Sequence, residues 1–131
     1  MNKSLWTFPV PSNCIYSGVK FVHEKTSVTI VYDYYDEEND DKVYNGKIKF
    51  KNVIAHRHTS EKFTKFIKGT YDNLCEILES QWKHSLEELS PEWTNVNQLK
   101  HYAIYLESYG LYEFVANDYV ISEIKRGYRD E

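Results

Sequence analysis

The sequence predicts an α+β domain. It is expected to be a single antiparallel sheet of about five to six strands with two consecutive helices packed on one face, in the order β-β-β-α-α-β-β. Three observations support this. In residues 101–124 two runs rich in Tyr, Ile, Val and Phe flank a turn that contains Gly110, which predicts a β-hairpin. Residues 42–58 alternate between polar and apolar side chains, and residues 60–89 carry apolar side chains at helical spacing.

Length and composition predict one globular domain over residues 1–131. A hydrophobic content of 41% and a charged content of 27% fit a folded chain rather than a disordered one. The net charge of −4 and the lack of a basic stripe disfavour nucleic-acid binding. Because there is no long apolar run and no signal-peptide pattern, we expect a cytoplasmic protein with no membrane contact. Cys14 and Cys75 form no CxxC motif and are expected to be free thiols, with no cofactor.

The first strands follow from period-two patterns. Residues 5–10 are interrupted by two prolines, so they form either a short edge strand or an extended arm. Residues 14–24 form a strand, and residues 28–35 form a second one. Neither face of the second strand is strongly polar, which predicts a central position in the sheet. Residues 36–41, with the sequence DEENDD, are expected to be a solvated loop.

The middle of the chain changes from strand to helix. Residues 42–58 are too long for one ordinary strand and should bend or split, with a bulge near Asn52. Ser60 is a plausible N-cap for a short helix that Gly69 ends. A second helix is predicted from Thr70 to Leu89, stopped by Ser90 and Pro91, and residues 92–100 form a connection.

The register of the C-terminal hairpin can be predicted from the segregation of its side chains. A three-residue loop, Ser108 to Gly110, places Glu107 opposite Leu111 and Glu113 opposite Tyr105. A one-residue slip would move every side chain to the other face. One face is then expected to hold Tyr102, Ile104, Leu106, Tyr112, Phe114 and Ala116.

Acidic residues and tyrosines cluster at the end of the second strand. Such charge most often serves solubility, but aromatic side chains surrounded by charge are typical of protein-binding surfaces. A patch of this kind would suit a basic partner. The predicted partner-binding residues are Tyr32, Asp33, Tyr34, Tyr35, Asp36, Glu37, Glu38, Asp40 and Asp41.

His56 and His58 are the best candidates for a pocket between sheet and helices, because residues i and i+2 of a strand share a face. Glu113 is a further candidate for a polar residue of this pocket. No further Cys or carboxylate is placed by spacing to complete a zinc site, so no metal is predicted. The sequence contains no G-x-S-x-G elbow and no glycine-rich phosphate loop. We therefore predict no catalytic residues and no enzymatic activity.

Three segments together resemble a known group of proteins. They read VIAHRH, TYDNLCEILESQW and HYAIYLESYGLYEFVANDY, and lie within about residues 50–120. They resemble small proteins of Gram-positive bacteria, several of which are encoded beside polymorphic or contact-dependent toxins and are regarded as their immunity proteins. The resemblance implies a small, acidic, cytoplasmic binding protein without a cofactor, and it assigns no catalytic residue.

Two main functional hypotheses follow. The first is a non-catalytic protein-binding domain, most consistent with an immunity-type inhibitor that binds a basic toxin domain through its acidic, tyrosine-rich surface. The alternative is a protein or enzyme that binds a small molecule or metal in a pocket near His56 and His58. A purely structural subunit of a homo-oligomer is a third hypothesis. The sequence leaves the oligomeric state open.

Overall fold

The computed structural model describes residues 2–39, 42–65 and 67–128, with only the backbone described at residues 95, 96 and 124–128. This part of the chain is mostly β-structure. Its strands and helices are β1 (Asn2–Thr7), β2 (Ile15–Glu24), β3 (Ser27–Asp36), β4 (Lys42–Lys51), β5 (Ala55–Thr59), β6 (Asn73–Ile77), α1 (Gln81–Leu89), α2 (Pro91–Val96), β7 (Lys100–Leu106), β8 (Gly110–Ala116) and β9 (Asp118–Tyr128).

The strands form two antiparallel sheets, so the prediction of an α+β domain with one sheet and two packed helices is wrong. The five-stranded sheet has the order β1-β6-β7-β8-β5, and the four-stranded sheet has the order β2-β3-β4-β9. β3 lies between β2 and β4, which confirms its predicted central position. The N-terminal segment forms an edge strand, β1, rather than an arm, and pairs with β6.

One hydrophobic core holds the two sheets together. Phe50 of β4 and Phe114 of β8 are completely buried, and their rings stack with centroids 3.9 Å apart. Side chains from both sheets surround this stack because each strand turns every second residue inward. The buried residues of this core include Val28, Ile30, Tyr32, Tyr34, Ile48, Leu74, Tyr102, Ile104, Leu106 and Tyr112.

The segment predicted as a second helix, from Thr70 to Leu89, contains a strand in its first part and a helix only in its second part. Residues 73–77 pair with β1 on one side and β7 on the other, and the helix begins only after Ser80. In this segment Leu74 faces the core between the sheets, whereas Cys75 and Ile77 are buried on the opposite face. A strand that is apolar on both faces has no period of two, so its pattern also fits a helix.

The remaining helical predictions also need correction. In place of the helix from Ser60 to Gly69 there is a single 3-10 turn, Glu61–Phe63. Only the predicted end of the second helix is correct: α1 ends at Leu89 with Ser90 as its C-cap. The predicted connection contains α2 instead, and Pro91 occupies its first turn, where its missing N–H costs nothing. No helix in the described ranges is long and apolar enough to cross a membrane.

Residues 42–58, predicted either to bend or to split, split into two strands. β4 ends at Lys51, Asn52 adopts a positive φ of 52°, and β5 begins at Ala55 in the other sheet. Asn is one of the few residues that tolerate this backbone conformation. The two strands therefore carry one continuous alternating pattern into two different sheets.

The C-terminal hairpin is present, but its register differs by two residues from the prediction. Leu106 pairs with Gly110, and Glu113 lies opposite Ala103 rather than Tyr105. The loop still has three residues, now Glu107 to Tyr109, and Gly110 has a φ of 105°. A shift of two residues preserves which face each side chain occupies. The six residues predicted to share one face do so, and all six are buried.

Candidate functional site

An open groove lies between the segment after β1 and the end of β3. Its volume is about 530 Å³. Two prolines, Pro9 and Pro11, form one wall, and three consecutive carboxylates form the other. We call it the acidic groove, and its lining residues are Pro9, Val10, Pro11, Asn13, Cys14, Asp36, Glu37 and Glu38. No lysine or arginine of the described residues lies within ion-pair distance of its three carboxylates.

The local backbone holds the three carboxylates together. A 3-10 turn follows β3 directly, and its Glu38 N–H donates to the Asp36 Oδ1 atom at 3.1 Å. The Cys14 thiol contacts the Glu37 carboxylate at 3.6 Å and joins the two sides of the groove. Glu37 and Glu38 are exposed, so their charges face solvent.

An aromatic pair adjoins the acidic groove. Tyr16 of β2 and Tyr35 of β3 meet edge to face, with ring centroids 6.5 Å apart and an interplanar angle of 87°. Tyr16 remains 45% exposed. Tyr35 directly precedes Asp36, but successive side chains of a strand point to opposite faces, so the pair lies on the outer face of β2 and β3 and does not line the groove.

Only part of the predicted partner-binding set lines the acidic groove. Tyr32 and Tyr34 are buried in the core because β3 turns them toward the other sheet, and Asp33 is buried on the opposite face. Burial raises the pKa of both tyrosines, and the Tyr34 hydroxyl donates a hydrogen bond to the Glu123 carboxylate. Tyr32 and Tyr34 are therefore corrected to core positions, and Asp33 is corrected to a buried position on the outer face of β3. Asp36, Glu37 and Glu38 are brought together in the acidic groove, Tyr35 lies on the outer face of β3, and Asp40 and Asp41 lie outside the described residues.

Asp33 has a local structural role. Its Oδ1 atom accepts a hydrogen bond of 2.6 Å from the Ser17 backbone N–H. Ser17 lies where the β2–β3 register shifts, next to Gly18 with a φ of 117°. The carboxylate thus satisfies a backbone donor that the irregular strand leaves without a ladder partner.

His56 and His58 lie where the edge strands of the two sheets meet. Their rings pack with Phe21 and His23 of β2, and we call these four side chains the imidazole seam. The centroid of His56 is 5.6 Å from that of Phe21 and 5.9 Å from that of His23. His58 Nε2 donates to the Tyr109 carbonyl oxygen at 2.5 Å, and its ring stacks on Tyr112. The seam lies along one open side of the core, and all four of its side chains remain exposed.

The predicted pocket containing His56, His58 and Glu113 is not formed. Glu113 lies on the opposite face of the five-stranded sheet, because it pairs with Arg57 and not with a histidine of β5. Four cavities of the described chain are lined by residues other than His56 and His58. Among the same residues, no three His, Cys, Asp or Glu side chains are placed to hold a metal ion.

Because its neighbours in the imidazole seam partly cover His56, we expect acid to lower the stability of the fold modestly. Burial lowers the pKa of His56, and the neighbouring His23 lowers it further. The unfolded chain therefore binds a proton more readily, and stability is lost as the pH falls below about 6.5, until the folded pKa is reached. We expect His56→Gln to reduce the fall in Tm between pH 7 and pH 5 by roughly 2 °C, measured by thermal denaturation at both pH values.

His84→Gln provides the control for this measurement. His84 is exposed on α1 and meets only the exposed or half-exposed carboxylates of that helix, where ion pairs contribute little. An equal effect of the two substitutions would contradict a specific role of the seam.

A chain of polar side chains crosses the outer face of the five-stranded sheet. The Ser80 Oγ atom lies 2.7 Å from His101 Nδ1, and His101 Nε2 lies 2.9 Å from Glu113 Oε1. Arg57 donates to both Glu113 oxygens, from Nε at 2.7 Å and from Nη2 at 3.1 Å. Burial disfavours the Glu113 charge, but hydrogen bonds and charge from His101 and Arg57 hold the pKa of this carboxyl below its ordinary value.

The order serine, histidine, carboxylate is that of a hydrolase triad, but the surroundings favour a structural role. Ser80 is the N-cap of α1, and its Oγ atom already accepts the Lys83 N–H at 3.0 Å. Arg57 neutralises the carboxylate that would stabilise a histidinium. Neither Ser80 nor His101 lines any of these four cavities of the described chain. The network fixes the start of α1 and the arginine against the sheet.

The four-stranded sheet exposes a set of lysines on its outer face. β4 alternates between lysines and buried Ile48 and Phe50, and β2 contributes one more lysine. All of these lysines are exposed. We call this set the lysine face, and it consists of Lys20, Lys47, Lys49 and Lys51.

Comparison with known proteins adds no relative: no family model, no curated protein and no solved structure matches this chain.

Proposed function

We propose that this chain is a non-catalytic protein-binding domain whose acidic groove receives basic side chains of another protein. The similarity of its sequence to bacterial immunity proteins supports a narrower form of the proposal, an inhibitor that acts in the cytoplasm on a basic toxin domain. The single observation that carries the proposal is the set of three adjacent carboxylates on one wall of an open groove.

The charge state of the groove favours this role. Asp36, Glu37 and Glu38 have no ion-pair partner among the described residues, so binding a basic group breaks no internal pair. Complementary charge across an interface contributes specificity and speeds association. The proline wall contributes as well, because proline loses little conformational freedom when a partner binds.

The adjoining tyrosines supply the apolar contact that charge alone lacks. Tyrosine presents a large ring with a polar end and is enriched among the residues that dominate binding energy. Tyr16 and Tyr35 already restrict each other through their edge-to-face contact, which lowers the entropy lost on binding. A partner wide enough to cover both the groove and the outer face of β2 and β3 would also pack against this pair.

The test is charge reversal in the groove. We expect Asp36→Lys, Glu37→Lys and Glu38→Lys, combined in one variant, to weaken binding of the toxin-like protein encoded beside this chain's gene by roughly 100-fold. This estimate takes about 1 kcal/mol for each reversed charge. Binding is measured by titration calorimetry at low ionic strength, and protection is measured by co-expression with the toxin.

A matched control carries Glu24→Lys, Glu79→Lys and Glu88→Lys, which change the net charge equally at exposed positions outside the groove. We expect it to bind nearly as the native chain does. Equal losses of affinity in both variants would show that net charge, and not the groove, accounts for binding. A genome with no toxin-like neighbour, together with no partner captured from the host, would contradict the proposed function itself.

A further inference from the structure

A second cavity lies on the outer face of the five-stranded sheet, away from the acidic groove. It has a volume of about 360 Å³, within the range of small-ligand sites. Two cationic side chains, two hydroxyls and three apolar side chains line it, together with one buried carboxylate. We call it the Arg57 cavity, and its lining residues are Arg57, Thr59, Phe63, Thr64, Lys65, Ile67, Leu111 and Glu113.

The guanidinium of Arg57 uses only one of its two hydrogen-bonding edges. Glu113 takes the side edge, through Nε and one hydrogen of Nη2. The end edge, formed by Nη1 and the second hydrogen of Nη2, has no acceptor among the described residues. This edge has the geometry that binds a carboxylate through two parallel hydrogen bonds. Arg57 is 48% exposed, so the free edge is accessible.

Arg57 is held more firmly than a half-exposed arginine usually is. Glu113, only 3% exposed, binds it through two hydrogen bonds and is itself fixed by His101 and Ser80. The Trp82 ring covers one face of the guanidinium, with the Arg57 Cζ atom 4.0 Å from the ring centroid. A cation fixed by such a supporting shell loses little entropy when it binds an anion.

The charge and shape of the cavity define its ligand. Arg57 and Lys65 together carry two positive charges and Glu113 carries one negative charge, so the cavity has one excess positive charge, which suits a monoanion. Phe63, Ile67 and Leu111 provide an apolar wall. Phe63 is 83% exposed, which is costly for a phenylalanine without a partner and would be reduced by an apolar ligand.

We propose that the Arg57 cavity binds a carboxylate attached to an apolar group, either the C-terminus of a peptide that ends in an apolar residue or a free aromatic acid. This site is independent of the acidic groove and of the function proposed for it. The carboxylate pairs with the end edge of Arg57, and the apolar group packs on Phe63, Ile67 and Leu111.

Three probes test the proposal by titration calorimetry and by NMR of the tryptophan indole N–H signals. They are the acid acetyl-Gly-Gly-Phe, the same peptide as its C-terminal amide, and phenylacetate. We expect at least one of the two acids to bind with a Kd on the order of 100 μM to 1 mM and to shift the Trp82 indole signal but not that of Trp6. Binding of the peptide acid alone would identify a peptide C-terminus, whereas equal binding of phenylacetate would identify a free acid.

Variants separate the proposed contacts from folding. Arg57→Lys keeps a cation beside Glu113 but removes the free edge, and should weaken binding at least about tenfold. Phe63→Ala changes an exposed wall residue outside the polar chain, and should weaken binding several-fold without changing Tm. Lys47→Gln on the other sheet is the control and should have no effect. The proposal fails if the amide binds as well as the acid, if neither acid saturates, or if Arg57→Lys binds normally.

Discussion

Replacing Arg57 with alanine is expected to lower the free energy of unfolding by about 3 kcal/mol at pH 7, because it leaves the buried Glu113 carboxylate without its cation. Glu113 is 3% exposed and cannot recover the lost pairing from water. The substitution also removes the contact between the guanidinium and Trp82. Urea denaturation followed by fluorescence measures the loss.

The double variant Arg57→Ala with Glu113→Gln separates the buried charge from the lost packing. It should be more stable than Arg57→Ala alone, since no unpaired charge remains. The loss of unfolding free energy caused by Arg57→Ala should also become smaller as the pH falls toward 4. A carboxyl whose folded pKa is lowered contributes its stability above the unfolded pKa, near 4.5, and loses it as the pH falls. A cost independent of pH would show that packing dominates.

Phe50→Ala is expected to lower the free energy of unfolding by about 4 kcal/mol, the largest effect of a single side chain that we predict. Phe50 is completely buried, and its ring stacks on Phe114 of the opposite sheet at 3.9 Å. Removing the ring loses its burial and leaves a cavity between two sheets whose backbones are held by hydrogen bonds, so the gap cannot close fully. Chemical denaturation measures the change.

Phe63→Ala is the matched control, because it removes the same side chain from a position that is 83% exposed. Its expected cost is under about 0.5 kcal/mol. A small cost for Phe50→Ala would mean that the sheets can approach each other, and would contradict a rigid core at this stack.

The sequence predicts the individual strands well wherever one face is polar. In β4 the lysines alternate with Ile48 and Phe50, and this pattern alone assigns the outer and inner faces. In the hairpin, the alternation of side chains predicts the face of each residue but not the register. The predicted register differs by two residues from the observed one, yet every side chain lies on the predicted face. Side-chain alternation repeats every two residues, so it cannot distinguish registers that differ by two.

The division into two sheets could not be predicted from alternation. The pattern continues through Asn52, although β4 and β5 belong to different sheets. Only the positive φ of Asn52 marks the break, and its sequence signal is weak. Alternation also fails to identify β6. This segment has a helical pattern of apolar residues, but it forms a strand because it pairs on both edges and is buried on both faces.

The candidate sites also differ in how far the sequence alone predicts them. The carboxylates of the acidic groove are consecutive in sequence, so composition is enough to find them. The polar chain joins residues 57, 80, 101 and 113, which only the fold brings together. The one local signal is Glu113 itself, a charged residue between Tyr112 and Phe114 in an otherwise apolar strand.

The placement of charge on the four-stranded sheet has a consequence for how a partner arrives. β3 and β4 pair from Asp36 with Lys42 to Val28 with Phe50, a distance of roughly 27 Å along the strands. The carboxylates Asp36, Glu37 and Glu38 lie at one end, and Lys49 and Lys51 lie toward the other. The exposed carboxylates at the first of these ends attract an approaching basic protein toward the groove before contact. Added salt should slow association far more than it speeds dissociation.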